Sequence, residues 1–142
     1  MEKRDSIILL LSLGGKHTMT SLQIMYSLFI FKVDANLSDD EFYSFRPYLY
    51  GPCSLEVYSD LNGLKNDAVV FDFPISPVGR GFSLTGKGRK MAEDISKGVN
   101  PSLMAKLGGA KNFVTSRRIM EVYSYLLSKF PEYFATAIAE PL

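Results

Sequence analysis

At Asn66-Asp67 the spacing of apolar side chains changes from about 3.6 residues to about 2, which demands a fold where a short helix feeds directly into a hairpin. Upstream of that switch, Gly51-Pro52 breaks the chain, and Ser54 is placed to cap the orphan N–H groups of a helix. Val57, Leu61, Leu64 and Ala68 share one face of that helix, so Glu56, Ser59, Asn62, Gly63, Lys65 and Asn66 face outward. Downstream, Ala68-Val69-Val70-Phe71-Asp72-Phe73 is rich in β-formers and ends at Pro74. The stretch Pro74-Ile75-Ser76-Pro77-Val78-Gly79-Arg80-Gly81 has the composition of a hairpin loop, and Phe82-Ser83-Leu84 that of the return strand. Thr85 then caps a helix predicted from Gly86 to Lys97. Helix, wing, helix is the plan of a winged helix-turn-helix. The expected fold is mostly α with a small β-hairpin wing (α+β), followed by a C-terminal helical extension.

The rest of the chain is read around that unit. Asp5 to Leu13 is a short apolar helix ended by Gly14-Gly15. A second helix starts at Thr20 or Ser21 and runs to Val33, apolar nearly all round, as suits a central helix or one covered by a second subunit. Ser38-Asp39-Asp40-Glu41 has the spacing of a capping box. Phe42, Tyr43, Phe45, Tyr48 and Tyr50 crowd around Arg46-Pro47, either packed beneath the next helix or available to stack on bases. Asn100-Pro101 opens a short helix stopped by Gly108-Gly109; Thr115 or Ser116 caps a longer one closed by Pro131. The tail, with Tyr133, Phe134 and Ile138, is expected to add a last helical turn or two. Residues 1–98 form the predicted winged-helix domain and residues 99–142 an extension packed on it, a single domain overall.

Composition narrows the function. One cysteine, Cys53, excludes an internal disulfide; with His17 the sole histidine, no Cys/His metal cluster is expected, and a reducing cytoplasm fits. Neither apolar run reaches the roughly 20 residues needed to span a bilayer. No nucleophile elbow or phosphate-cradling loop occurs, Gly86-Lys87-Gly88-Arg89 being too unlike the known cradles, so neither an enzyme nor a cofactor is expected. The overall charge of +1 conceals a division. Residues 34–77 hold two cations against eight carboxylates, net −6, while residues 78–98 hold five against two, net +3. The presumptive reading helix therefore sits in the acidic block, and the wing and following helix supply Arg80, Lys87, Arg89 and Lys90.

Phe45-Arg46-Pro47-Tyr48-Leu49-Tyr50-Gly51-Pro52-Cys53-Ser54, followed by Val57, Asp60 and Leu61-x-x-Leu64, resembles the YwgA-like winged-helix family of bacterial and archaeal proteins. More distantly it is similar to the Panacea domain that includes the SocA-type antitoxin. Phe82-Ser83-Leu84-Thr85-Gly86-Lys87-Gly88 resembles the wing-to-helix segment of PadR- and MarR-type proteins, and Ser128-Lys129-Phe130-Pro131-Glu132-Tyr133 the end of the YwgA-like C-terminal helix. Cys53 departs from the pattern, which has an aromatic residue there. The resemblance implies a fold and no catalytic set.

Two functions remain in view. One is a transcriptional regulator binding double-stranded DNA, with Ser54, Glu56, Ser59, Asn62 and Lys65 toward a groove and Arg80, Lys87, Arg89 and Lys90 on the wing side. The other is a protein-interaction module of antitoxin or phage-defence type that leaves DNA alone. A homodimer through the C-terminal helix, with a contribution from the Leu22 to Val33 helix, is expected for either.

Overall fold

The computed structural model describes residues 1–15, 17–75 and 79–135. Its elements run α1 (Lys3–Ser12), β1 (Met19–Thr20), α2 (Ser21–Asp34), β2 (Arg46–Tyr48), β3 (Gly51–Cys53), α3 (Leu55–Asn66), β4 (Val70–Pro74), β5 (Arg80–Leu84), α4 (Gly86–Ser96), α5 (Pro101–Thr115) and α6 (Ile119–Lys129), then a 3-10 turn over Pro131–Tyr133. The architecture is α+β. Its helices pack around two small antiparallel sheets, β1-β5-β4 and β2-β3. None of the described helices is long and apolar enough to cross a membrane.

α2 occupies the centre because its sequence leaves it no polar side to show. Ile24, Met25, Tyr26, Ser27, Leu28, Phe29 and Phe31 are all buried within this one chain. Thr20 starts it with a reciprocal capping box, its hydroxyl accepting from the Gln23 N–H while Gln23 Oε1 accepts from the Thr20 N–H. Phe29 meets Phe45, Phe130 and Tyr133 edge-on, with ring centroids 5.4, 5.1 and 4.8 Å away, so a single side chain ties the β2–β3 region to the end of α6.

The second organising contact is the close approach of α4 to the three-stranded sheet. Thr85 caps α4 by accepting from the Gly88 N–H, while its own N–H donates to the Val69 carbonyl at 3.0 Å and its hydroxyl to the Ala68 carbonyl at 2.6 Å. A Cβ on Gly88 would lie 2.2 Å from that same carbonyl oxygen and 3.0 Å from Leu84 Cδ2. Glycine at this position is therefore a packing requirement of the helix–strand junction. The register β4–β5 runs from Val70↔Leu84 to Pro74↔Arg80, and β1 adds Met19↔Phe82 and Thr20↔Gly81.

Several expectations are corrected. Ala68 lies beyond the end of α3 and is exposed, with φ +59°; the chain reverses there, so the strand starts at Val70. Ser38 to Glu41 form one turn, closed by the Ser38 N–H on Glu41 Oε1 and the Phe42 N–H on the Ser38 carbonyl, and no helix follows. Gly108-Gly109 do not stop a helix: α5 continues to Thr115 because Leu107, Ala110, Lys111 and Val114 are buried along it. Packing outweighs the roughly 1 kcal/mol per residue that glycine costs a helix interior. Consequently α6 begins after Arg118, whose N–H donates to Glu121 Oε1, and neither Thr115 nor Ser116 caps it. The β2–β3 hairpin and β1 are elements that periodicity does not reveal. The predicted wing loop through Ser76-Pro77-Val78 and the tail turn with Ile138 lie outside the described residues.

Lys111 is an unusual component of this core. It is 3% exposed, and its ammonium donates to the carbonyls of Leu11, at 3.4 Å, and Leu13. It thus satisfies the C-terminal end of α1, where a cation also meets the negative end of the helix dipole. Burial pulls its pKa down to about 8.

Candidate functional site

α3 presents two different surfaces. Val57, Leu61 and Leu64 pack inward, and Glu56, Ser59, Asn62, Lys65 and Asn66 stand outward, as their spacing requires. Ser54 does not join them. It is 1% exposed, its N–H donates to Met25 Sδ at 3.3 Å, and its hydroxyl has no partner among the described residues. It is an N-cap by position only, since its side chain bonds to none of the helix N–H groups it is placed to satisfy.

The charges assigned to nucleic acid are largely engaged within the chain. Asp72, on β4, receives Arg80 Nε at 2.6 Å and Lys65 Nζ at 3.2 Å, so one carboxylate draws together a cation of α3 and a cation of β5. The Arg80 guanidinium beside it, with Lys65 adding to the effect, holds the Asp72 carboxyl below the usual range. Lys87 Nζ donates to the Asp67 carbonyl at 2.8 Å, and Arg89 Nη1 to the Leu84 carbonyl at 3.2 Å. Lys90 is exposed, with no hydrogen bond or ion pair among the described residues, and the same holds for the Ser59 and Asn62 side chains. The acidic face of α3 is also partly offset from behind: Lys3 pairs with Glu56 at 3.2 Å and Arg4 with Asp67 at 3.5 Å. The Ser44 backbone N–H on Glu56 and then Lys3 keep that carboxyl low. Tyr43, buried, donates to Asp60 Oδ2 at 2.5 Å, closing a network that joins α1, the 39–44 segment and α3.

A surface that the charge pattern did not reveal lies at the N-terminal end of α3. Leu55 is 79% exposed, Tyr58 46%, Tyr48 58% and Tyr50 63%, and Leu49 joins them at the hairpin tip. Leu55, Tyr58 and Tyr48 line a groove of about 670 Å³ together with Arg46, Pro47 and Cys53, with Ser44 and Glu56 at the α1 side, while Leu49 and Tyr50 stand outside its lining. The β2–β3 hairpin forms one wall and the first turn of α3 the other. Arg46 is exposed and has no carboxylate within salt-bridge distance among the described residues. Of the clustered aromatics, Phe42, Tyr43 and Phe45 are buried, whereas Tyr48 and Tyr50 are not. The sequence did carry a signal: Leu55 and Tyr58 fall off the Val57, Leu61, Leu64 stripe, and Tyr48-Leu49-Tyr50 puts three large side chains in a row before a Gly-Pro turn.

Chemistry is not suggested by this site. Burial pushes the Cys53 thiol up, so it stays protonated and is a poor nucleophile. His17 is exposed, and among the described residues no three His, Cys, Asp or Glu side chains gather to hold a metal ion.

No protein-family model matches the chain, and no curated protein matches it at a significant level.

Proposed function

We propose that this chain is a winged-helix protein that works by docking a protein segment against the groove at the start of α3. The winged-helix part of the reading is supported by the order α1, β1, α2, α3, β4, β5, with β5 central between β1 and β4 and the α4 N-terminus packed beneath Val69. The docking part rests on one observation: the most exposed large apolar side chain of the helix that would read a groove is Leu55, which lines the groove with Tyr58 and Tyr48. Large amphipathic rings on a rigid hairpin are the side chains that dominate protein interfaces. Arg46 is the available cation at the rim, so the segment that fits is apolar with one carboxylate for it. No catalytic role is included in this proposal. A homodimer through α6, where Met120, Tyr125 and Leu127 are exposed, is compatible with it, whereas α2 is consumed by the core of its own chain.

Duplex DNA is the second reading, favoured by Ser59, Asn62 and Lys90, whose side chains are exposed and uncommitted among the described residues. One comparison separates the two. A photo-crosslinking residue at position 55 of the full chain is expected to trap one discrete protein, and Arg46→Glu to abolish the adduct. Duplex from the upstream region of its own gene, titrated across a salt series, is expected to show no sequence preference. Sequence-dependent binding with a steep salt slope, strengthened by Asp72→Asn and abolished by reversing Arg80, Lys87 and Lys90, would establish the DNA reading instead.

A further inference from the structure

A second groove of about 670 Å³ opens between the end of α1, the β4–β5 strands, α4 and the start of α5. That volume lies within the range of small-molecule sites, and the lining follows their usual pattern, an apolar bed with few polar groups. Phe71, Leu84, Ala92 and Met104 supply the bed. Apart from His17, which reaches the groove from the link between α1 and β1, most of the polar groups are already occupied. Ser12 donates to the Leu9 carbonyl, Ser96 to the Glu93 carbonyl, and Ser83 bonds with Thr18. Arg89 is different. Its Nη1 contact with the Leu84 carbonyl steadies the guanidinium, and no carboxylate lies within salt-bridge distance of it among the described residues, not even Glu93 one turn along the same helix.

We propose that this groove binds a small amphipathic monoanion, an apolar carboxylate whose body lies on Phe71, Leu84 and Met104 and whose head is held by Arg89. The guanidinium offers a planar fork that matches a carboxylate, and one bond to a carbonyl leaves it donors for a second partner. The Arg89 guanidinium offsets one negative charge on the ligand, whereas the second charge of a dianion would face Glu93, in the same groove, without an offsetting guanidinium. This site is separate from the α3 groove in its lining residues, and its test does not depend on any protein partner.

The probes are 4-phenylbutyrate, its uncharged match 4-phenylbutanol, and the dianionic 4-phenylbutyl phosphate, each titrated into the 15N-labelled full chain and followed by amide shifts. The carboxylate is expected to give saturable shifts confined to residues 11–13, 17, 71, 83–84, 89–96 and 104, with the alcohol about tenfold weaker and the phosphate no tighter than the carboxylate. Arg89→Met should remove the preference for acid over alcohol. Met104→Trp, which fills the groove, should block both while the rest of the spectrum stays dispersed. Equal affinity for acid and alcohol, shifts elsewhere on the surface, no saturation by about 5 mM, or an acid preference that survives loss of Arg89 would each overturn the proposal.

Discussion

Gly88→Ala tests the contact on which the placement of α4 depends. Judged by helix propensity alone, the change should stabilise α4 by about 1 kcal/mol. The structure reverses that sign. The new methyl would lie 2.2 Å from the Val69 carbonyl oxygen, well inside ordinary contact, and 3.0 and 3.2 Å from the Leu84 side chain. The nearest obstacle is backbone, so the whole N-terminal turn of α4 must withdraw from β5. Withdrawal strains a well-packed junction by about 1–3 kcal/mol and endangers the two hydrogen bonds from Thr85, N–H to the Val69 carbonyl and hydroxyl to the Ala68 carbonyl, worth about 1 kcal/mol each. The expected net loss is about 2–4 kcal/mol, read as a lower urea midpoint at unchanged slope. Gly63→Ala is the internal control: it is also helical, and a methyl added there would meet no neighbouring atom within 4 Å, so it should gain about 0.5–1 kcal/mol. If Gly88→Ala proved neutral or stabilising, the close α4–sheet junction would be refuted.

Other outcomes follow from the same contacts. Because Lys111 has a folded pKa of about 8 against an ordinary 10.5, the unfolded chain binds more protons between those values, and stability should rise with pH across that window by up to about 3 kcal/mol. Urea titrations of wild type and Lys111→Met should differ by that slope. Burial, together with Asp60, pushes the Tyr43 phenol up, so its contribution is complete below about pH 10 and lost as the pH climbs past the point where an unfolded tyrosine ionises. Tyr43→Phe should cost about 1.5–3 kcal/mol at neutral pH and flatten that alkaline decline, which circular dichroism melts can follow. Leu55→Asp, at a site 79% exposed, should leave stability within about 0.5 kcal/mol while eliminating partner capture.

What is legible in the sequence is local. The Thr20 and Thr85 caps, the Val57–Leu61–Leu64 stripe, the strand pair after Asn66 and the stop at Pro131 depend on neighbours within a few residues, and periodicity encodes them directly. α2 can be assigned to an interior because it lacks a polar face, although its spacing leaves open whether its own chain or a second one covers it. Propensity ends α5 too early, at Gly108-Gly109, because it cannot register the buried face that carries the helix onward. The charged residues are visible in the sequence but their commitments are not: Asp72 lies 7 residues from Lys65 and 8 from Arg80, and the hairpin register brings Arg80 to it while the packing of α3 on β4 brings Lys65. The aromatic groove is hidden for a related reason, since Phe45 and Tyr48 look alike in sequence while one packs on Phe29 and the other faces solvent.

The sequence by itself therefore determined most of the helices, the β4–β5 pair and which helix must be interior, but not β1, the β2–β3 hairpin or the full length of α5, because capping and amphipathic spacing are short-range physics. Only the tertiary structure decided which charges are already neutralised, which aromatics remain exposed and why Gly88 must be glycine. Those depend on how separate elements sit against one another, and that arrangement exists only once the helices have closed around the sheet.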